Sequence, residues 1–249
     1  GSWRPFPPGT GPASEGEYFR CKFPVEIFLP DSISACKRNL YTGNIPALSR
    51  RMERKTYHHG DLKTALVEAG IDILEAEGLK GLSLRSLAAR VGVSHTAPKN
   101  HFGAMRGLLT ALAAEGFRRH AAHMQAGLPP DASDAARLEA AMHGYVAFVE
   151  AHPHLYTLMF SPDLVDHDAP ELIAAGTASY MVLEDLARHL DWSRKDEPDS
   201  QIRAEILLWS IVHGFATLRR TGQLPVSAVT GTVPGIADIM PRFGGRTGD

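Results

Sequence analysis

The chain has little of the cysteine, continuous apolar sequence and net charge that mark several large classes of protein. Only two of its 249 residues are cysteines, Cys21 and Cys36, so a disulfide-built extracellular fold is not indicated. No apolar run approaches the roughly 18 residues of a membrane span, and we expect no secretory signal. The net charge is −2, so the chain as a whole is not a basic nucleic-acid coat. We therefore expect a cytoplasmic protein of one or two domains.

Enzyme signatures are also missing. The sequence has no H-E-x-x-H, G-x-S-x-G, P-loop or G-x-G-x-x-G motif, so we expect neither catalysis nor a bound cofactor. Twelve histidines nevertheless leave a metal-sensing role as an alternative. Its candidate ligands are two short-range histidine pairs and the acidic loop that follows them: His120, His123, His152, His154, Asp163, Asp166 and His167.

Residues 55–109 carry the most specific pattern in the chain. Apolar residues recur there at helical spacing, which predicts a first helix over residues 61–77 and a second helix that starts at Ser83. The run A-x-x-V-G-V-S over residues 88–94 is typical of the tight turn in a helix-turn-helix. Gly92 permits that turn because glycine adopts a positive φ without strain.

A third helix is predicted over residues 95–101, with Ser94 as its N-cap. Counted from that cap, Pro98 falls at the fourth helical position, where its missing N–H removes only the first intrahelical bond. The second helix of a helix-turn-helix lies in the major groove of DNA, so outward side chains of this helix would meet base edges. Those outward residues are polar: His95, Thr96, Lys99 and Asn100.

The charge balance favours the same interpretation. From Met52 to Leu109 there are eight Lys or Arg residues and six Asp or Glu residues. The acids concentrate on the first helix, which leaves the groove-facing side basic, as a DNA-binding surface requires.

This segment resembles the DNA-binding domain of the TetR family of bacterial transcriptional repressors. The resemblance rests on four stretches of sequence: residues 65–81, 84–88 and 91–94, and His101-Phe102 followed by Leu108-Leu109. It departs from the family at Pro98 and Lys99, where a hydrophobic residue and a tyrosine are usual, and at Met105, where a lysine is frequent. Lys99 could supply a replacement charge.

The resemblance implies binding to a double-stranded DNA operator. It places one set of residues at base edges or the DNA backbone: Lys55, Thr56, Tyr57, His58, Arg85, Ser94, His95, Thr96, Ala97, Lys99, Asn100 and His101. Lys and Arg would neutralise phosphate, and Asn and Arg can pair with adenine and guanine. Two alternatives remain open: His101 packs beneath the helix with Phe102, and His58 and His59 belong to a solvated arm.

From residue 104 onward the periodicity is helical throughout, so the fold class predicted is all-α. Helices are expected over residues 104–126, 154–160, 171–190, 199–221 and 233–239, and one more runs from a cap at Asp131 or Ser133 to about residue 150. The helix-turn-helix domain would span residues 52–105, and a helical effector-binding and dimerisation domain would span residues 106–249.

Trp209, His213 and Gly214 resemble the WHG type of TetR C-terminal domain. That resemblance implies a pocket for a small hydrophobic or aromatic effector, because such pockets are mostly apolar with few polar groups. The candidate ligand-binding residues are Met142, Tyr145, Phe148, Val149, Tyr156, Met159, Phe160, Trp209 and His213. The alternative is that these residues only pack the core, with His213 bonded to a carbonyl.

The last two long helices, residues 171–190 and 199–221, are apolar on more than one face. A helix that is apolar nearly all round is buried on two sides. By resemblance these helices would form a homodimer interface, although a larger single core is the alternative. Two-fold symmetry would set two recognition helices about 34–36 Å apart for a palindromic site.

Residues 1–51 differ from the rest, with seven of the 17 prolines and no sustained period. We expect them to be a flexible or non-native extension, with Met52 at or near the natural start. The function predicted is a ligand-responsive DNA-binding regulator, most simply a repressor that a small effector releases from its operator. A DNA-binding dimer without an effector, a metal sensor and an activator remain alternatives.

Overall fold

The structure, a computed structural model, describes residues 59–126, 131–190 and 196–240 of the chain, with side chains described from Leu62 onward. The residues described contain helices and no strand, which confirms the all-α fold class. The helices run α1 His59–Gly81, α2 Leu84–Val91, α3 Ala97–Phe102, α4 Met105–Gln125, α5 Asp134–Ala151, α6 Pro153–Met159, α7 Pro170–Arg188, α8 Ser200–Arg220 and α9 Ile236–Ile239.

Local signals account for several of the helix ends. Ser133 caps α5, where its Oγ accepts a hydrogen bond from the Ala136 amide at 3.3 Å. Pro153 and Pro170 each occupy the first helical position, of α6 and α7, where a missing N–H costs no intrahelical bond and the fixed φ suits the helix. Gly78, at φ 68°, kinks α1 before its last turn.

Helix α4 lies at the centre of the packing. It contacts α1, α3, α5, α6 and α7. The side chains of Leu108 and Leu112 on α4, and of Leu66 and Leu74 on α1, are at most 1% exposed. A movement of α4 would therefore displace α1, with which it shares a close-packed apolar contact.

The residues described all belong to one compact unit. A division of that unit at residues 105 and 106 into a DNA-binding domain and an effector domain remains a prediction. The proposed extension, residues 1–51, and the predicted start at Met52 lie outside the described residues.

Candidate nucleic-acid interface and effector core

Helix α2 is fixed at both ends by the residues that the sequence pattern singles out. Ser83 and Ser86 form a capping box: the Oγ of each accepts a hydrogen bond from the other's backbone N–H at 2.9 Å. Gly92 closes the helix at φ 76°, in the left-handed region, and its amide donates to the carbonyl of Ala88. Ala88 itself is buried, so the turn of the helix-turn-helix is built as expected.

Helix α3 begins later than the sequence indicated. It starts at Ala97, and the N-cap position belongs to Thr96, without a side-chain cap; the prediction of Ser94 as N-cap is therefore wrong. Instead, the Ser94 carbonyl accepts from the Ala97 amide at 3.0 Å and its hydroxyl lies 3.1 Å from that of Thr96. The physical reason is Pro98, which lacks an N–H and is best accommodated in a first turn, where it now occupies the second position.

The two sides of this short segment differ in the way that a DNA-reading element requires. Pro98 and Phe102 are buried beneath α3. The opposite side exposes polar groups into solvent: Ser94, His95, Thr96, Lys99 and Asn100. Ala97 and His101 are half-buried, and Arg85 of α2 is exposed. Lys55, Thr56, Tyr57 and His58 lie outside the described residues, so their predicted contacts remain predictions.

A network of ion pairs joins α1, α4 and α7. Arg119 of α4 pairs with Glu68 of α1 at 2.5 Å and with Glu115 at 3.1 Å. Arg118 pairs with Glu171 of α7 at 2.7 Å, and Lys63 of α1 reaches the same carboxylate at 3.0 Å. Exposed pairs contribute little individually, but a network holds the three helices in one register.

The nine candidate ligand-binding residues come together between α5, α6 and α8. Six of them are at most 4% exposed: Met142, Tyr145, Phe148, Val149, Tyr156 and Met159. Phe160, Trp209 and His213 are half-buried at the edge of the same group. The His213 ring contacts those of Tyr156 and Phe160, with centroids 5.5 and 5.0 Å apart. The structure thus assembles the predicted set, whether it holds a ligand or only packs the core.

A polar triangle lies inside this apolar group. Nδ1 of His213 is 2.9 Å from the Tyr145 hydroxyl and 2.8 Å from the Tyr156 hydroxyl. A neutral imidazole nitrogen forms one strong hydrogen bond, so the two hydroxyls compete for it. Burial lowers the pKa of His213 and raises the pKa of both tyrosines, so all three groups are uncharged near neutral pH.

His120, on α4, adds a further polar side chain next to this triangle. Its Nδ1 lies 2.7 Å from Oγ of Ser179 on α7, and its ring stands edge-on to Tyr145 at a centroid distance of 4.3 Å. Sequence reasoning considered His120 only as a metal ligand and did not place it in this buried polar group. Its place in helical register with Leu112, Gly116 and Met124 was the available signal, since these side chains share a buried face.

The metal-sensing alternative finds no ligand cluster among the described residues, where no three His, Cys, Asp or Glu side chains are grouped to hold an ion. His154 instead contacts Glu75, with Nδ1 3.2 Å from that residue's carbonyl oxygen. Within residues 59–126, 131–190 and 196–240, no helix combines the length and hydropathy needed to cross a bilayer.

Comparisons with known proteins agree with this architecture. A family model described as the tetracyclin repressor-like C-terminal domain matches residues 138–232, the segment that holds all nine candidate ligand-binding residues. The chain is also 28% identical over 153 residues to the uncharacterized HTH-type transcriptional regulator YobS of Bacillus subtilis (strain 168). That alignment covers 61% of this chain and 76% of YobS.

Two solved structures share the fold. One is a protein of unknown function from Rhodococcus sp. RHA1, which is 32% identical with a TM-score of 0.58 over 71% of this chain and 91% of that chain. The other is the transcriptional regulator SCO7222, a TetR from Streptomyces coelicolor. It is 20% identical with a TM-score of 0.51 over 64% of this chain and 72% of that chain, a likeness that concerns the fold alone.

Proposed function

The chain belongs to the TetR family of transcriptional regulators, and from that premise we propose a ligand-responsive repressor that a small hydrophobic or aromatic effector releases from a palindromic operator. The observation that carries the proposal is the two-sided α3 segment, buried through Pro98 and Phe102 and polar on its solvent side. A surface of that kind suits base edges in a major groove. The proposal places the protein in the cytoplasm, with its DNA.

In this proposal the exposed side chains divide by role. Lys99 and Arg85 neutralise phosphate or reach guanine, and Asn100 is able to pair with adenine. His95 and Thr96, at the start of α3, stand where recognition helices contact bases. Lys55, Thr56, Tyr57 and His58 would add backbone contacts from the segment before α1.

A homodimer through α7 and α8 is the second part of the proposal. Both helices bury one face in the core, through residues such as Leu183 and Leu208. Each also exposes large apolar side chains: Ile173 is 48% and Met181 56% exposed on α7, and Ile202 is 47% and Ile206 56% exposed on α8. Apolar side chains exposed on neighbouring helices are typical of an interface between protomers.

Effector response is the third part. An effector bound among the side chains around Tyr145, Tyr156 and His213 would contact α6. Helix α6 packs against α4 and α1, so a displacement of α6 would reach both helices. It lowers operator affinity only if it binds better to the conformation that does not fit the operator. One observation favours a second candidate, a DNA-binding dimer without an effector: six of the nine side chains are almost completely buried against their neighbours.

The proposal is tested by selecting the purified chain against a randomised DNA pool and titrating the selected site with salt. We expect a palindromic consensus and a steep loss of affinity as salt rises, because several phosphates are neutralised. A folded, dimeric protein that enriches no sequence would contradict operator binding. A transcription assay on the selected site then separates repression from activation.

A further inference from the structure

His120 has a feature that the proposed operator binding does not use. The side chain is 4% exposed, and one ring nitrogen, Nδ1, is paired with Ser179 at 2.7 Å. The other nitrogen, Nε2, is buried without a hydrogen-bond partner among the described residues. Buried polar atoms are almost always hydrogen-bonded, so an unpaired one inside a bundle indicates a group that a further molecule would satisfy.

Aromatic side chains lie against the His120 ring. Tyr145 and Phe148 stand edge-on to its imidazole, with centroids 4.3 and 5.1 Å away. Tyr145 continues into the triangle with Tyr156 and His213. The polar groups therefore come from five helices, α4, α5, α6, α7 and α8.

We propose that His120 is the hydrogen-bonding anchor of the effector site, and that the effector is a neutral aromatic compound with a hydroxyl group that pairs with Nε2. This inference rests on the proposed effector response. A hydroxyl fits because Ser179 allows either tautomer of His120, which makes Nε2 a donor or an acceptor, and a hydroxyl serves both.

The absence of charge on the recognising groups supports a neutral ligand. Burial lowers the pKa of His120 to about 3, so the ring is uncharged at neutral pH. The tyrosines and His213 beside it are uncharged for the same reason. A carboxylate or ammonium group placed here would lose its hydration without gaining an opposite charge from these groups.

The test uses phenol and toluene, two probes of equal shape that differ in one hydroxyl. Their dissociation constants are measured by calorimetry on the purified chain and on three variants: His120→Phe, His120→Gln and His123→Phe. Gln carries a polar end group to the position of Nε2, whereas His123 lies one turn away on α4 and packs against the same Phe148. Nitrogen NMR of the His120 ring reports whether the hydroxyl reaches Nε2.

Wild-type protein should bind phenol more tightly than toluene. His120→Phe should weaken phenol binding roughly tenfold, the usual effect of one lost hydrogen bond, and leave toluene binding unchanged. His120→Gln should restore most of the preference for phenol over toluene, and His123→Phe should retain that preference in full. Phenol should also shift the Nε2 resonance of the wild-type His120 ring. Three results would overturn the proposal: the wild type and His120→Phe bind phenol equally well, the wild type does not prefer phenol to toluene, or the wild type binds neither probe. Operator selection is measured without probes, so failure of this proposal and failure of operator binding are separate results.

Discussion

The side chain of Glu75, on α1, accepts a hydrogen bond from the backbone amide of Leu155, on α6, at 2.8 Å. Its second oxygen accepts from the amide of His154 at 3.2 Å. The carboxylate thus satisfies two of the free N–H groups at the start of α6. The next residue of α6 is Tyr156, which contacts His213, so Glu75 connects the helix-turn-helix part of the chain to the proposed effector core.

We expect Glu75→Gln to loosen this connection. The neutral amide presents one acceptor instead of two and removes a negative charge from a helix N-terminus, so unfolding free energy should fall by about 1–2 kcal/mol. Urea denaturation measures the change. Glu77→Gln, an exposed carboxylate on the same helix, is the matched control and should cost far less. Equal losses in the two variants would show that the contact with α6 contributes nothing.

The exposed cations of the helix-turn-helix should be visible in the salt dependence of operator binding. Lys99→Ala and Arg85→Ala should each weaken binding and reduce the slope of log affinity against log salt by about 0.9, the share of one phosphate contact. The measurement is a salt titration on the selected operator. Arg203→Ala removes the same charge from α8, where it pairs with Glu197, and should leave the slope unchanged. A reduced slope in that control would mean that net charge, and not position, determines binding.

The exposed apolar side chains of α7 and α8 should control assembly. A charge at Met181 or Ile206 would be buried without a partner in a dimer, so Met181→Glu and Ile206→Glu should shift sedimentation toward the monomer. Val226→Glu, at a site that is 62% exposed and outside both helices, should leave the assembly unchanged. Dimers that persist in both interface variants at low protein concentration would place the interface elsewhere.

The sequence was sufficient for the bounds of the long helices because their apolar residues recur at helical spacing. The fifth helix, expected from a cap at Asp131 or Ser133 to about residue 150, has Ser133 as its cap and runs Asp134–Ala151. The eighth, expected over residues 199–221, is Ser200–Arg220. The start of α3 was misplaced because two local signals conflicted: Ser94 is a good N-cap, but Pro98 suits a first turn better than a second.

Contacts between distant parts of the chain could not be predicted in this way. Periodicity identifies which face of α4 is buried, but it does not indicate that His120 meets Ser179, 59 residues later. Glu75 and Leu155 are 80 residues apart, and Glu75 looks like any acidic residue of a solvated helix face. Such pairs depend on how the helices cross, which one sequence does not determine.

Stability should fall in mild acid because of the buried histidines. Burial lowers the folded-state pKa of His120 from the ordinary 6.5 to about 3, and burial also lowers the pKa of His213 and His152. The unfolded chain therefore takes up these protons first as the pH falls below about 6.5, so unfolding becomes more favourable. His120, which is almost completely buried, reduces the free energy of unfolding by about 1.4 kcal/mol per pH unit between its two pKa values.

The contribution of His120 can be separated by urea unfolding at pH 7.5, 6 and 5. His120→Phe removes one titrating group, so its stability should decline less steeply than that of the wild type below pH 6.5, by about 1.4 kcal/mol per pH unit. Met124→Leu also alters the buried face of α4 but removes no titratable group, so it should keep the wild-type pH dependence. Parallel curves for wild type and His120→Phe would mean that His120 takes up its proton without unfolding the chain. Its ring would then be accessible to water, and Nε2 would not be the buried, unpaired atom on which the effector proposal depends.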